Sequence, residues 1–486
     1  MRFILIAFIL SHTILNATTT KKTTIKHKLN CNMTVKYMKK PKNVDNLADF
    51  LREGILYSRI RINSFKFDAK DDDKDFFIAG IGGSLVYKSA YFNHIGLTAG
   101  LYTSQNIGDT KQDLVANYRS AKDVLNRYDV ATEDKFGITS LAQLYAEYRT
   151  SKNQLKLGHF LIETMIAKSN DTKMIPNTFE GVYYKNLSIP KTTLKAAFLK
   201  KEKLRDHTDF HHILAYGDNP TDSYSKWTQN DDGAMHRGLT LSKLKEKNIK
   251  DEMYLIEAKN TTVDNLTLKL NYTKLPELLS YIIIDSKYKI NTNSFMIIPA
   301  LHYMQQFDNG AGAIGGANLK NNTVAYTNAN SLNATLIATR LDIIKDAVSL
   351  RLGYSKTADT GDLITPWRAF PTAGYTRVIG QTNWYANTKA YMIRADYDFS
   401  KNNILPGIRT MIRYAIQNFD DNKAGVQADN HVFEFNIVKH FKSIPNFRTK
   451  LRAAFVNGDT NTIAQDNTLK ADPAYNELRL EFNYLF

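Results

Sequence analysis

From Gly54 to the last residue, side chains alternate between apolar and polar, and no apolar run past the N-terminus reaches the roughly 18 residues a membrane-spanning helix needs. Period-two alternation means strands, with successive side chains on opposite faces. In the final stretch Leu478, Leu480, Phe482, Tyr484 and Phe486 share one face, and Arg479, Glu481 and Asn483 the other. Similarly, Val348, Leu350, Leu352 and Tyr354 oppose Ser349, Arg351 and Gly353, and Phe447, Leu451, Ala453 and Phe455 oppose Arg448, Lys450 and Arg452. Two all-β architectures fit: a sandwich with its apolar faces in a core, or a transmembrane barrel with those faces in lipid. A mean hydropathy of −0.37 suits either, because alternating strands score as polar on average.

Export, the alternation of loop lengths and the end of the chain together decide between them. Arg2 precedes an apolar stretch over residues 3–10, then residues 11–16 and the small residue Ala17, the pattern of a secretory signal. Residues 1–17 carry one Arg and no acid, so their removal takes the net charge from +16 to +15. Cys31, the single cysteine, lies too far from the apolar stretch for a lipid anchor and leaves no internal disulfide framework. An exported chain whose basic residues are spread singly along strands is not a nucleic-acid binder.

Residues 18–44 are Lys- and Thr-rich and read as a loosely ordered periplasmic segment. Residues 46–53 read as a short helix; the N-terminal segment as a whole runs over 18–53 and the barrel over 54–486. Eighteen strands are expected: 55–67, 76–87, 95–103, 137–150, 153–162, 179–187, 192–201, 252–260, 265–274, 279–290, 294–306, 332–344, 347–357, 384–399, 406–417, 429–441, 446–457 and 476–486. The boundaries are least sharp at the sixth, tenth and eleventh, where alternation weakens and Pro299 intervenes. Connections alternate long and short, apart from the fifth external one, tight at 275–278, which matches the long external loops and short periplasmic turns of an antiparallel up-and-down transmembrane β-barrel.

Lys or Arg at a lipid-facing midplane position costs roughly 2–4 kcal/mol, so the charged face must line water. The inferred lumen is basic: Arg59, Arg61, Arg149, Lys195, Lys269, Arg351, Arg409, Arg413, Arg448, Lys450, Arg452 and Arg479, with Lys156, Lys287 and Arg394. Five acids oppose them, Glu147, Asp285, Asp396, Glu434 and Glu481. Such a lining draws anions into a channel, although some of these cations are expected to be paired across strands.

Residues 171–180, DTKMIPNTFE, look like the motif that follows the fifth strand in the OprD family of outer membrane porins. Segments 79–87 (AGIGGSLVY), 231–240 (DDGAMHRGLT) and 385–390 (YANTKA) resemble OprD-like porins of the Campylobacter–Arcobacter relatives. The terminal strand NELRLEFNYLF, ending at Phe486, resembles the signature read by the barrel-assembly machinery. The resemblance implies an 18-stranded barrel in outer-membrane lipid, narrowed by its third external loop and passing amino acids or other small carboxylates. In that loop Asp171, Lys173, Asn177 and Glu180 are the polar candidates for the constriction, where a carboxylate facing lumen arginines would set up a transverse field. The bland reading gives Pro176 and Asn177 a turn and Asp171 its cap. A homotrimer and a monomer both remain open.

No Walker A, GxSxG, HExxH or Cx2C pattern is present, so no cofactor, metal or catalytic residue is expected. His211 and His212 read as a solvated loop pair. Gly80, Gly82 and Gly83 mark close backbone approach within a strand. The sequence therefore points to a passive conduit for small hydrophilic solutes. The alternatives are a binding or adhesion barrel using loops 104–136 and 202–251, and a barrel enzyme, for which no nucleophile–base group is visible.

Overall fold

The computed structural model describes residues 25–30, 33–70, 75–108, 121–218, 236–366 and 369–486. The expected export segment, Cys31, the three aspartates at 71–73 and the first half of the 231–240 segment, 231–235, lie outside the described residues. Eighteen long strands follow the period-two pattern: β1 (Ile55–Ala69), β2 (Phe76–Lys88), β3 (Ile95–Asn106), β4 (Gly137–Arg149), β5 (Asn153–Phe160) and β6 (Thr178–Asn186). After them come β7 (Thr192–Lys203), β8 (Met253–Asn260), β9 (Leu266–Leu275), β10 (Leu279–Tyr288), β11 (Met296–Asp308) and β12 (Ala334–Lys345). The last six are β13 (Val348–Thr357), β14 (Lys389–Asp398), β15 (Ile408–Asn418), β16 (Asn430–His440), β17 (Phe447–Gly458) and β18 (Tyr475–Leu485). Each pairs antiparallel with its chain neighbours, and β18 closes onto β1 in a register running from Tyr475 opposite Ala69 to Leu485 opposite Arg59. Closure leaves no sheet edge, the condition for crossing lipid with strands. Pro299 sits within β11 opposite Leu341. No helix among the described residues is long and apolar enough to cross a membrane.

The faces follow the sequence. Ile60, Ile81, Leu97, Leu157, Ile256, Ile337, Ile393 and Ile412 point outward and are exposed, whereas Arg61, Asn63, Glu147, Glu257, Glu434 and Glu481 point inward and are buried. Two bulges re-aim the wall. At β3–β4 the register slips between Gly100 and Leu101, so Ala142 and Gln143 both turn inward. A second slip, between Glu180 and Gly181, lies at β6–β7. Left-handed residues carry the tight turns: Asn93 and His94, at φ 48° and 69°, have the two positive φ values of a type I′ hairpin between β2 and β3.

Long connections fold inward. Residues 121–133, with the helix Arg127–Glu133, lie against β2, where Gly80 makes room; a Cβ there would stand 2.4 Å from Val124 Cγ1. Leu204, Ile213, Leu239, Leu244, Ile314, Leu332, Leu363 and Trp384, from three further connections, form one apolar cluster with strand residues such as Tyr281 and Leu336. Packed chain therefore narrows the long-loop end of the lumen.

The N-terminal segment departs from the expectation of loose order. His27–Leu29 and Val35–Tyr37 pair as a hairpin, and Asn43–Val44 runs parallel to Tyr91–Phe92 at the short-turn rim. The helix Leu47–Arg52 follows, as the sequence suggested, with the Asn46 side chain accepting from Asp49 N at 2.9 Å. The hairpin orders because its apolar side finds aromatic partners on the barrel's inner wall: Tyr37 meets Tyr57 edge-on at 4.5 Å, and His27 meets the same ring at 5.4 Å.

Candidate site: a basic passage between two inward loops

The connection from β5 to β6, residues 161–177, crosses the lumen and docks on β1. Its anchor is Asp171, whose carboxylate accepts from Arg59 Nη2 at 3.0 and 2.8 Å and from Arg61 Nη1 at 2.6 Å. All three side chains are at most 2% exposed. The backbone adds to the clamp: Arg61 donates to the carbonyl of Met174 at 3.2 Å, and Asn63 to that of Lys173 at 3.1 Å. Arg479 of β18 donates to the Thr172 carbonyl. Lys173 lies 3.9 Å from the centre of the Phe65 ring and 3.7 Å from Asp123; burial and the nearby Arg479 hold it well below the usual lysine value. Asn177 accepts from the Arg205 backbone N–H at 3.0 Å.

Contact changes what Asp171 can do. A transverse field needs separated charges, whereas this carboxylate is neutralised in direct contact with its arginines and holds the loop in place. Nor does it cap a turn. Glu180 does not join the loop cluster, because Phe179 and Tyr183 take the inner positions of β6 and period two turns Glu180 outward, 3.5 Å from His159.

The wall from β15 to β18 is a dense charge network. Glu434 pairs with Arg413 and, at 3.2 Å, with Arg452, while Arg452 also donates to Asn436 at 2.9 Å. Arg479 Nε is 2.7 Å and Lys450 3.5 Å from Glu481, and Arg448 reaches Met33 of the N-terminal hairpin. Two basic residues stand at the short-turn rim: Arg409, with 65% of its side chain exposed, pairs with Asp398, and Arg149 lies beside Glu147 and Tyr91.

On the opposite side a cavity of about 410 Å³ remains, between loop 161–177, the connection 358–388 and the inner faces of β7 to β12. Its walls carry Lys168, Lys195, Lys259, Lys269, Lys287 and Arg340 against Glu163, Glu257 and Asp285, six cations to three carboxylates and a net charge of +3. Lys195 is paired to Glu257 at 2.7 Å, and Arg340 to Asp342 at 3.1 Å. Arg351 pairs with Asp342 at 2.6 Å just behind. Among the described residues Lys259 and Lys269 have no ion-pair partner. Tyr375 donates to Asp285 at 2.8 Å, and Phe370 supplies an apolar wall. In the loop itself, burial raises the Glu163 pKa and lowers that of Lys168.

Of the expected lumen cations, Lys195 and Lys269 thus line the cavity, Arg351 stands behind it, and Arg59, Arg61 and Arg479 anchor the loop. Arg413, Arg448, Lys450 and Arg452 form the opposite wall, and Arg149 and Arg409 the rim. Lys259, Arg340 and His302 were missed although they share strand faces with Glu257, Asp342 and Met304, so parity alone could have found them. Lys168, Phe370 and Tyr375 lie in loops and carry no such signal. The His pair is only partly solvated, since His212 keeps 34% of its side chain exposed while His211 is buried. His211 is 1% exposed with its ring 3.1 Å from that of His207, and His212 lies 2.8 Å from Asp251. No group of His, Cys, Asp and Glu among the described residues is arranged to hold a metal ion.

A family described as outer membrane porin, OprD family, matches residues 111–486. The fold is similar to the crystal structure of Pseudomonas aeruginosa OpdK with vanillate, at 16% identity and a TM-score of 0.69 over 90% of this chain and 99% of that one. Similar too are Acinetobacter baumannii OccAB3, at 14% identity and 0.69 over 90% and 100%, and P. aeruginosa OccK2 (OpdF) in complex with glucuronate, at 14% and 0.66 over 90% and 99%. No curated protein matches the chain.

Proposed function

Because the chain belongs to the OprD family of outer membrane porins, we propose that its passage runs through the cavity between the two inward loops and favours small carboxylates, amino acids among them, and other anions. The protein is an outer-membrane channel for small hydrophilic solutes; the proposal concerns where they pass and which charge they carry. The carrying observation is the surplus of three positive charges on the cavity wall, with Lys259 and Lys269 unpaired among the described residues. A low-dielectric wall focuses that charge and raises the local anion concentration. Vanillate and glucuronate, the ligands of two relatives of the same fold, are both carboxylates, which supports the reading. Transport then needs no covalent step. The apolar outer face would contact lipid, and the terminal strand would be the segment read during assembly.

The test is swelling of proteoliposomes in isosmotic glucuronate and in glucose, solutes of similar size and different charge. Wild-type protein should admit glucuronate faster, and the Lys259→Glu/Lys269→Glu variant should lose or invert that order. Equal rates for the two solutes in the wild type would contradict the proposal.

A further inference from the structure

We infer that the N-terminal hairpin is part of the conduction pathway, a basic strap inside the short-turn mouth that narrows it and adds an anion-selective step. This rests on the conduit reading above but not on the solute preferred by the cavity.

Residues of β17, β1 and β2 hold the strap. His27 Nε2 lies 3.2 Å from the Ser58 carbonyl, and Tyr57 donates to the Lys39 carbonyl at 2.6 Å. Lys88 sits 4.6 Å over the Tyr37 ring. Met33, 3% exposed, offers its carbonyl to Arg59 at 3.5 Å and its sulfur to Arg448. Arg59 is also an anchor of loop 161–177, so chain inserted from the two ends of the barrel meets at one guanidinium.

The hairpin has two unlike faces. His27 and Tyr37 are opposite one another and lie on the wall, while Lys28 and Lys36 are opposite one another and exposed. Between residues 25 and 44 there are six lysines and no carboxylate, and all six are exposed. Like charges directly across a strand pair repel. An anion between Lys28 and Lys36 relieves that repulsion, so the pair forms a site for small anions and carboxylates at the mouth. Because the charge stands at one end only, it also makes the current–voltage curve asymmetric.

Two variants in planar bilayers test this. Deleting residues 25–40 should raise single-channel conductance about twofold or more, since both the obstruction and the charge depend on the strap. Lys28→Glu/Lys36→Glu changes only exposed side chains. It should lower the chloride-to-potassium permeability ratio about twofold or more and reverse the current asymmetry. A silent wild type with a conducting deletion variant would also support the strap, as a complete plug. Conductance unaltered by deletion, or selectivity and asymmetry unaltered by charge reversal, overturns the strap while leaving the conduit intact. If neither wild type nor deletion conducts, the conduit reading fails and takes the strap with it.

Discussion

Replacing Asp171 with asparagine removes one negative charge from between two buried guanidinium groups and should release the inward loop. The carboxylate takes three N–H···O contacts of 2.6–3.0 Å from Arg59 and Arg61, with all three side chains at most 2% exposed. Breaking a buried pair from one side costs about 3–5 kcal/mol, because the partner charge stays behind without compensation. Met174 and Lys173 carbonyls still accept from Arg61 and Asn63, so the loop is weakened rather than expelled. A loss of about 3 kcal/mol shifts the docked-to-released ratio by about two orders of magnitude. Single-channel records should show brief excursions to larger conductance that the wild type lacks, and urea unfolding in micelles should report lower stability. Arg59→Gln combined with Asp171→Asn should destabilise by less than the two changes added, since each alone has already broken the pair. A variant within about 0.5 kcal/mol of wild type, with an unaltered current trace, would refute the clamp.

Glu434→Gln strips the carboxylate shared by Arg413 and Arg452 and should cost about 3–5 kcal/mol in the same unfolding assay; Ile412→Val, on the outer face of the neighbouring strand, is the mild control. The pH response should come from Glu163, whose pKa burial raises above 4.5. Below that raised value the carboxyl is protonated and the cavity gains a positive charge, so the chloride-to-potassium permeability ratio should climb on acidification. Reversal potentials at stepped pH would show the climb in wild type and its loss in Glu163→Gln. Lys259→Glu alone should lower the same ratio, whereas Lys200→Glu, at the exposed slip position of β7, should leave it unchanged.

Barrel architecture was legible because two independent patterns agree. Period two sorts every strand into two faces, and loop lengths alternate about it; even the tight turn at Glu277, in left-handed backbone at φ 60°, fell where the sequence put it. Side-chain direction was legible for the same reason, so Arg59, Lys269, Arg452 and Glu481 all face the lumen. Pairing was not. Nothing in the spacing of Asp171 says that it meets Arg59 and Arg61, more than a hundred residues away, and this contact turns a candidate field-setting group into an anchor. The loop motif runs on into β6, where parity and not the motif sets the direction of Glu180. The lysines of the N-terminal segment suggest loose order, but what orders it is His27, Met33 and Tyr37, three side chains matched to aromatic and basic groups of the inner wall. Such complementarity has no period and appears only once the barrel is closed around it.

The account stands most directly on the sign of one voltage: the zero-current potential of the reconstituted wild-type protein under a tenfold KCl gradient. A lumen whose free charge is basic makes chloride the more permeant ion, so the potential should take the sign of the chloride equilibrium potential. A potential of the potassium sign would mean that carboxylates govern the passage, and the surplus of lysine and arginine along it would not be what selects the solute.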